Sequence, residues 1–206
     1  MVASDEEQIE RLRDWWSEHG RTVIAGVVLG VAGLLGWQGW QAWQENRVAS
    51  AAAAFAQLEQ MAASGEGDVV ARAQEVASAH DGTSYTALAW LIGAGAAVEA
   101  NDLPTAVAYL EQARASADRE QLVATVDLRL ARVLWAQGES EAALDRLSDA
   151  PAGFEGLFAE LRGDVLADQG ELVAARQAYE EAAAASAGNG LLQMKLDSLP
   201  AAGEES

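Results

Sequence analysis

The chain has no cysteine, which removes disulfides, thiolate chemistry and lipoprotein-type acylation from consideration. That absence suits an oxidising compartment as well as a reducing one. Proline is scarce, three residues in 206. With few β-branched runs and alanine abundant over the last ~160 residues, enough for one domain with a real core, this favours an all-α domain. Basic residues are also few: 13 Lys and Arg face 32 Asp and Glu, for a net charge of -19. With no basic stripe to offset that charge, phosphates are repelled and nucleic-acid binding is excluded. An electrostatic attachment to anionic lipid is disfavoured for the same reason. The two histidines, His19 and His80, stand far apart, so neither a metal cluster nor a Ser/His/Asp arrangement is expected. Gly93-Ala94-Gly95 resembles the start of a dinucleotide-binding loop but lacks a preceding strand and the third glycine, and reads as close helix packing. Glu180-Glu181 reads as a solvated helix face. These residues point to no enzyme, no cofactor and no small-molecule substrate.

Against this background stands one uncharged stretch, Thr22 to Trp43, bounded by Arg21 and Glu45. A membrane-crossing helix needs roughly 20 mostly apolar residues, and this segment has that length. Trp37, Trp40 and Trp43 gather at its far end, as indoles do at a headgroup interface. Arg11, Arg13 and Arg21 precede it and Arg47 alone follows soon after, which places the N-terminus inside and the bulk of the chain outside. On this topology the two histidines lie in different compartments. A cleaved signal peptide is the competing reading, but the n-region is acidic and the first good cleavage pattern, Ala49-Ser50-Ala51, lies well beyond the apolar core. A buried helix of a soluble protein fits less well, because apolar residues go all round rather than along one stripe. Gly26 and Gly30 form a GxxxG extended by Gly33 and Gly36. Two readings are open for it: a face that docks another helix, or the ordinary glycine content of membrane helices.

Residues 1–21 are expected to form a short cytoplasmic amphipathic head. Ser4 and Glu7 make a capping box, the helix ends near Gly20, and Ile9, Leu12 and Trp16 share one face. That face suits the bilayer surface or a docking partner.

Residues 44–199 are expected to form a repeat domain, self-similar beyond residue 80. Asn101 to Ala113, Gly138 to Ala150 and Gly170 to Ala182 each begin with a small polar turn, then Ala106, Ala143 or Ala175, then Leu110, Leu147 or Tyr179. The intervals lie near the roughly 34 residues of a tetratricopeptide repeat. Two helices cross closely only where one contributes a methyl, so alanine sits at the crossing and the large residue fills the gap to the next repeat. Helices are expected over Tyr85–Ala100, Val123–Gln137 and Gly156–Gln169, with a degenerate repeat over residues 47–80. Leu191 to Leu199 should cap the open end, and residues 200–206 form a flexible tail. The fold class is therefore all-α: a single N-terminal transmembrane helix followed by a tetratricopeptide-like helical-repeat solenoid.

Such stacks bind partners on the concave surface made by the first helix of each repeat. Here that surface is expected to include Leu88, Leu91, Val98, Arg129, Arg132, Trp135, Glu160 and Asp164. Trp135 and the two arginines are the favoured contacts. The alternative is that Trp135 is core and both arginines pair with neighbouring carboxylates.

The chain resembles the YfgM family of bacterial inner-membrane proteins, the ancillary subunits of the SecYEG translocon. The stretches that carry the likeness include Trp15-Trp16-Ser17-Glu18-His19-Gly20, Gly26-Val27-Val28-Leu29-Gly30 and Leu35-Gly36-Trp37. Further on come Tyr85-Thr86-Ala87-Leu88-Ala89, Leu128 to Val133, Leu161-Arg162-Gly163-Asp164 and Met194 to Leu199. The resemblance implies a single-pass inner-membrane protein with a periplasmic repeat domain. It further implies association with SecYEG and the periplasmic chaperone PpiD, and assistance to exported client proteins. The Ala-rich first helix pair departs from the pattern and leaves the number of true repeats open. The other function class is a membrane-anchored scaffold or regulatory protein that recruits a signalling or envelope-assembly partner.

Overall fold

The computed structural model describes residues 5–185 and 190–199. Ser4 of the expected capping box and the tail from Pro200 lie outside them. Among the described residues every regular element is a helix: α1 Asp5–Ser64, α2 Val69–Ala79, α3 Ser84–Glu99, α4 Leu103–Ser116, α5 Glu120–Ala136, α6 Ser140–Arg146, α7 Glu155–Asp168, α8 Leu172–Ala185 and α9 Gly190–Ser198. The chain divides into two compact units between Ala49 and Ser50.

In the first unit, α1 does not end near Gly20 as the sequence suggested. A glycine inside a helix is about 1 kcal/mol worse than alanine, which weakens a helix without stopping it. Instead α1 bends by 45° between Gln8–Thr22 and Ile24–Ser64. No single helix among the described residues is long and apolar enough by itself to cross a membrane; the two parts of α1 reach that standard only together. Gln38, Gln41 and five glycines dilute the hydropathy of the uncharged run. Its apolar side chains are nonetheless uncovered on every side, from Ile24 and Val28 through Leu35 to Trp43, each more than half exposed. Trp37 and Trp40 pack ring to ring at 5.4 Å, and Arg47 lies 5.0 Å over the Trp43 ring.

In the second unit each helix from α2 to α9 packs on its neighbours within that run, α5 also touches α7, and Leu58 near the end of α1 joins the apolar cluster of α2 and α3. The pairs α3/α4, α5/α6 and α7/α8 follow the three self-similar segments, and the end of α1 with α2 makes the degenerate pair. Starts and stops have local causes. Asp68 caps α2 by accepting the Ala71 N–H at 2.9 Å, and Asp102 caps α4 by accepting the Thr105 N–H and hydroxyl. After α3, α5 and α7 the chain turns in one repeated way. The N–H groups of Asp102, Glu139 and Glu171 donate to the carbonyls of Ala97, Leu134 and Leu166 at 2.8–2.9 Å. The residue before each donor, Asn101, Gly138 or Gly170, has φ of 58°, 82° or 80°. This left-handed close favours glycine, or asparagine as its common substitute.

The alanines sit where the repeat pattern requires. Ala106, Ala143 and Ala175 are fully buried, and Leu110, Leu147 and Tyr179 fill the core beside them. Two helix crossings are closer still. A Cβ on Gly93 of α3 would stand 2.7 Å from both Ala73 Cβ and Tyr109 Cδ2, and one on Gly163 of α7 would stand 2.5 Å from Tyr179 Cδ1. Phe158, Leu58, Leu130, Leu147 and Leu192 are the largest side chains withdrawn from water, each stabilising by about 1.5–3 kcal/mol. Leu192 seats α9 in the apolar cluster of α7 and α8, as a terminal cap.

Candidate functional site

The first helices of the repeats position a cleft of about 830 Å³ in the second unit. Its floor is one face of α3, where Leu88, Leu91, Ile92 and Gly95 follow helical spacing. One wall comes from the end of α1 through Phe55, whose ring lies 5.4 Å from that of Tyr85. Val69 and Val70, at the start of α2, continue that wall, and Arg129 of α5 closes the opposite side. Glu59, Asp68 and Glu99 stand round the rim.

Of the eight residues expected on the concave surface, the structure brings Leu88, Leu91 and Arg129 together in this cleft. Val98 is exposed at the margin of the same helix face and does not line it. Arg132 is exposed one turn beyond Arg129. Neither arginine makes an ion pair among the described residues, although Arg72, Arg114, Arg119, Arg146 and Arg162 all do. Pairing of both with neighbouring carboxylates is thus not found.

Trp135 is a packing residue rather than a free anchor. It is half-buried against the core, and its indole N–H donates to Asp168 at 2.9 Å, because a buried indole keeps a partner for its N–H. Glu160 and Asp164 are also engaged. Lys195, the single lysine, places Nζ 2.8 Å from Glu160 Oε1 and 2.6 Å from Asp164 Oδ1, and the Tyr179 hydroxyl donates to Asp164 at 2.8 Å. Burial lowers the Lys195 pKa, but its hydrogen bonds to Asp164 and Glu160 and their charges outweigh that, and it is raised. Burial first and Asp164 second raise the Tyr179 phenol. These four residues form a clasp that holds α9 to α7 and α8.

Gly26, Gly30, Gly33 and Gly36 have no heavy atom within 4 Å of where a Cβ would stand, so that face of α1 is open. No group of three or more His, Asp or Glu able to hold a metal occurs among the described residues.

Sequence reasoning missed the α1 and α2 contributions to the cleft, and Gly95. Phe55, Leu58 and Met61 stand at helical spacing within the degenerate repeat, but which of them turn inward depends on α2 and α3. Leu58 is buried while Phe55 borders the opening.

A tetratricopeptide repeat-like domain family matches residues 13–201. Among curated proteins, the ancillary SecYEG translocon subunit of Haemophilus influenzae is 33% identical over 179 residues, covering 86% of this chain and 88% of that protein. The protein of the same name from Escherichia coli is 32% identical over 203 residues, covering 97% and 98%. That from Aggregatibacter actinomycetemcomitans is 29% identical over 201 residues, covering 95% and 97%. No solved structure matches the chain. A family of repeat proteins built for protein contacts is not an enzyme family. The chain belongs to this tetratricopeptide repeat-like family, that of the ancillary SecYEG translocon subunits.

Proposed function

We propose that this protein is a non-enzymatic inner-membrane adaptor that associates with the SecYEG translocon. The observation that carries the reading is likeness over nearly the whole chain to proteins bearing that name. In this reading Thr22–Trp43 of α1 spans the membrane and residues 1–21 stay in the cytoplasm. Residues 44–199 form the periplasmic repeat domain. The uncovered apolar girdle of α1 supports a lipid environment, since an apolar surface that large is not left to water. Arg11, Arg13 and Arg21 before the span support the orientation. Gly26, Gly30, Gly33 and Gly36 offer a face on which a translocon helix packs closely. The repeat domain contacts exported client proteins and a periplasmic chaperone of the PpiD type, and its cleft is the contact surface.

Photo-crosslinking in cells from Gly30 and from Leu88, followed by identification of the captured proteins, tests this. Translocon subunits are expected from Gly30, and exported proteins or a periplasmic chaperone from Leu88. Capture of signalling or envelope-assembly proteins alone would replace the adaptor with a scaffold, and capture of cytosolic proteins alone would overturn the topology.

A further inference from the structure

Two glycines stand two residues apart on α3, and only one has a structural reason. Gly93 faces α2 and α4, where no Cβ fits. Gly95 is exposed in the cleft, with no heavy atom within 4 Å of where a Cβ would stand. A mid-helix glycine weakens the helix, and packing does not account for this one. What it does is leave bare backbone on the cleft floor, beside Ala96 and one turn beyond Leu91 and Ile92. Glycine is the residue that allows the close approach of a ligand to backbone.

The charges round that floor are unequal. Glu59, Asp68 and Glu99 belong to three different helix ends, and none is in an ion pair among the described residues. Asp68 uses one oxygen to cap α2. Against these three carboxylates the cleft holds one cation, Arg129, whose guanidinium has five donors and no partner from the described residues.

We propose that the cleft binds an extended polypeptide segment of another protein, apolar at its centre and flanked by Lys or Arg. The apolar side chains lie over Leu88, Ile92 and Phe55, and the segment's backbone rests on Gly95. Arg129 donates to a backbone carbonyl of the segment, and the flanking cations meet Glu59, Asp68 and Glu99. An acidic segment is turned away by the same rim. This inference rests on the repeat domain being a protein-binding module and adds which segments it selects.

The test uses the full chain in detergent and three fluorescent peptides sharing one length. The first has a Leu/Val/Ala centre flanked by Lys pairs, the second the same centre flanked by Glu pairs, and the third a Ser/Gly centre flanked by Lys pairs. Anisotropy should show the first binding about tenfold more tightly than the second at about 0.1 M salt, and the preference shrinking at about 1 M. The third should not bind. Glu59→Gln with Glu99→Gln should reduce the preference to about threefold or less. Gly95→Trp should abolish binding, and Arg129→Ala should weaken both of the first two peptides, the Glu-flanked one more. Equal affinity for the first two peptides, or unchanged binding by the folded Gly95→Trp protein, overturns the inference. So does concentration-dependent self-association that Gly95→Trp removes, because the cleft would then take a second copy. Co-purification with SecYEG is measured on the same variants. Retained co-purification without peptide binding sinks the cleft alone, and peptide binding without co-purification sinks the adaptor reading alone.

Discussion

Gly163 and Tyr179 lie sixteen positions apart in sequence and touch as backbone and ring, with room for a hydrogen at Gly163 and no room for a methyl. Gly93 and Tyr109 repeat that relationship at the same sequence interval four helices earlier. In both, a tyrosine ring of the second helix rests against a bare turn of the first. The tyrosine hydroxyl then reaches a polar partner: Asp164 for Tyr179, and the Val70 carbonyl and Gln74 for Tyr109.

Gly163→Ala and Gly93→Ala are therefore expected to destabilise the domain by about 1–3 kcal/mol each, the usual range for overpacking. Gly95→Ala should instead stabilise by up to about 1 kcal/mol through helix propensity. Urea unfolding of the full chain in detergent, followed by circular dichroism, measures all three. Equal responses at Gly93 and Gly95 would contradict the packing described.

The clasp on α9 has a pH signature. The pKa of Lys195 is raised in the folded chain, so its contribution is complete below the unfolded value of about 10.4 and fades as pH climbs through the folded value. Tyr179 acts in the same sense. Its raised pKa means the folded state holds a proton that the unfolded chain releases above about pH 10. Stability should fall as pH rises above about 10. The Lys195→Met and Tyr179→Phe double variant should flatten that slope, leaving the part due to Tyr109, whose phenol burial and then Asp68 also hold up; an unchanged slope would remove the clasp from the account.

Arg114 and Asp127 pair at 2.7 Å with the carboxylate nearly buried, whereas Glu181, the partner of Arg162, is well exposed. Hydrogen bonding to Asp127 and its charge hold the Arg114 pKa up. Arg114→Met leaves that buried carboxylate without its partner, at a cost of about 1–3 kcal/mol. Arg162→Met should cost under about 1 kcal/mol, as exposed pairs do. The two midpoints in one urea series decide it.

The lack of cysteine makes a clean topology test available. Glu10→Cys should resist a membrane-impermeant maleimide in intact spheroplasts until they are lysed, and Glu180→Cys should react at once. The opposite pattern would invert the proposed orientation.

Much of the repeat domain was legible before any coordinates. Ala106, Ala143 and Ala175 announced close crossings, and the turns at Asn101, Gly138 and Gly170 announced helix ends. Both are local demands, set by methyl size and by φ, so composition and spacing carry them. α9 was legible too, from the apolar residues at Leu192 and Leu196.

Other features depended on which helices meet. Trp135 reads the same in sequence whether it anchors a partner or packs on the core; Asp168, on another helix, settles it as packing. Glu160 and Asp164 read in sequence as part of the concave surface, and only the fold shows that Lys195, some thirty residues later, occupies both. Gly93 and Gly95 are one motif in sequence and two roles in space, since a helix turns about 100° per residue and two steps carry a glycine from a crossing to an open cleft. Composition and periodicity determined an all-helical repeat chain behind an uncharged apolar helix. Only the tertiary contacts decided which charges are already paired and which remain to meet a partner, because pairing is a matter of distance between helices and not of order along the chain.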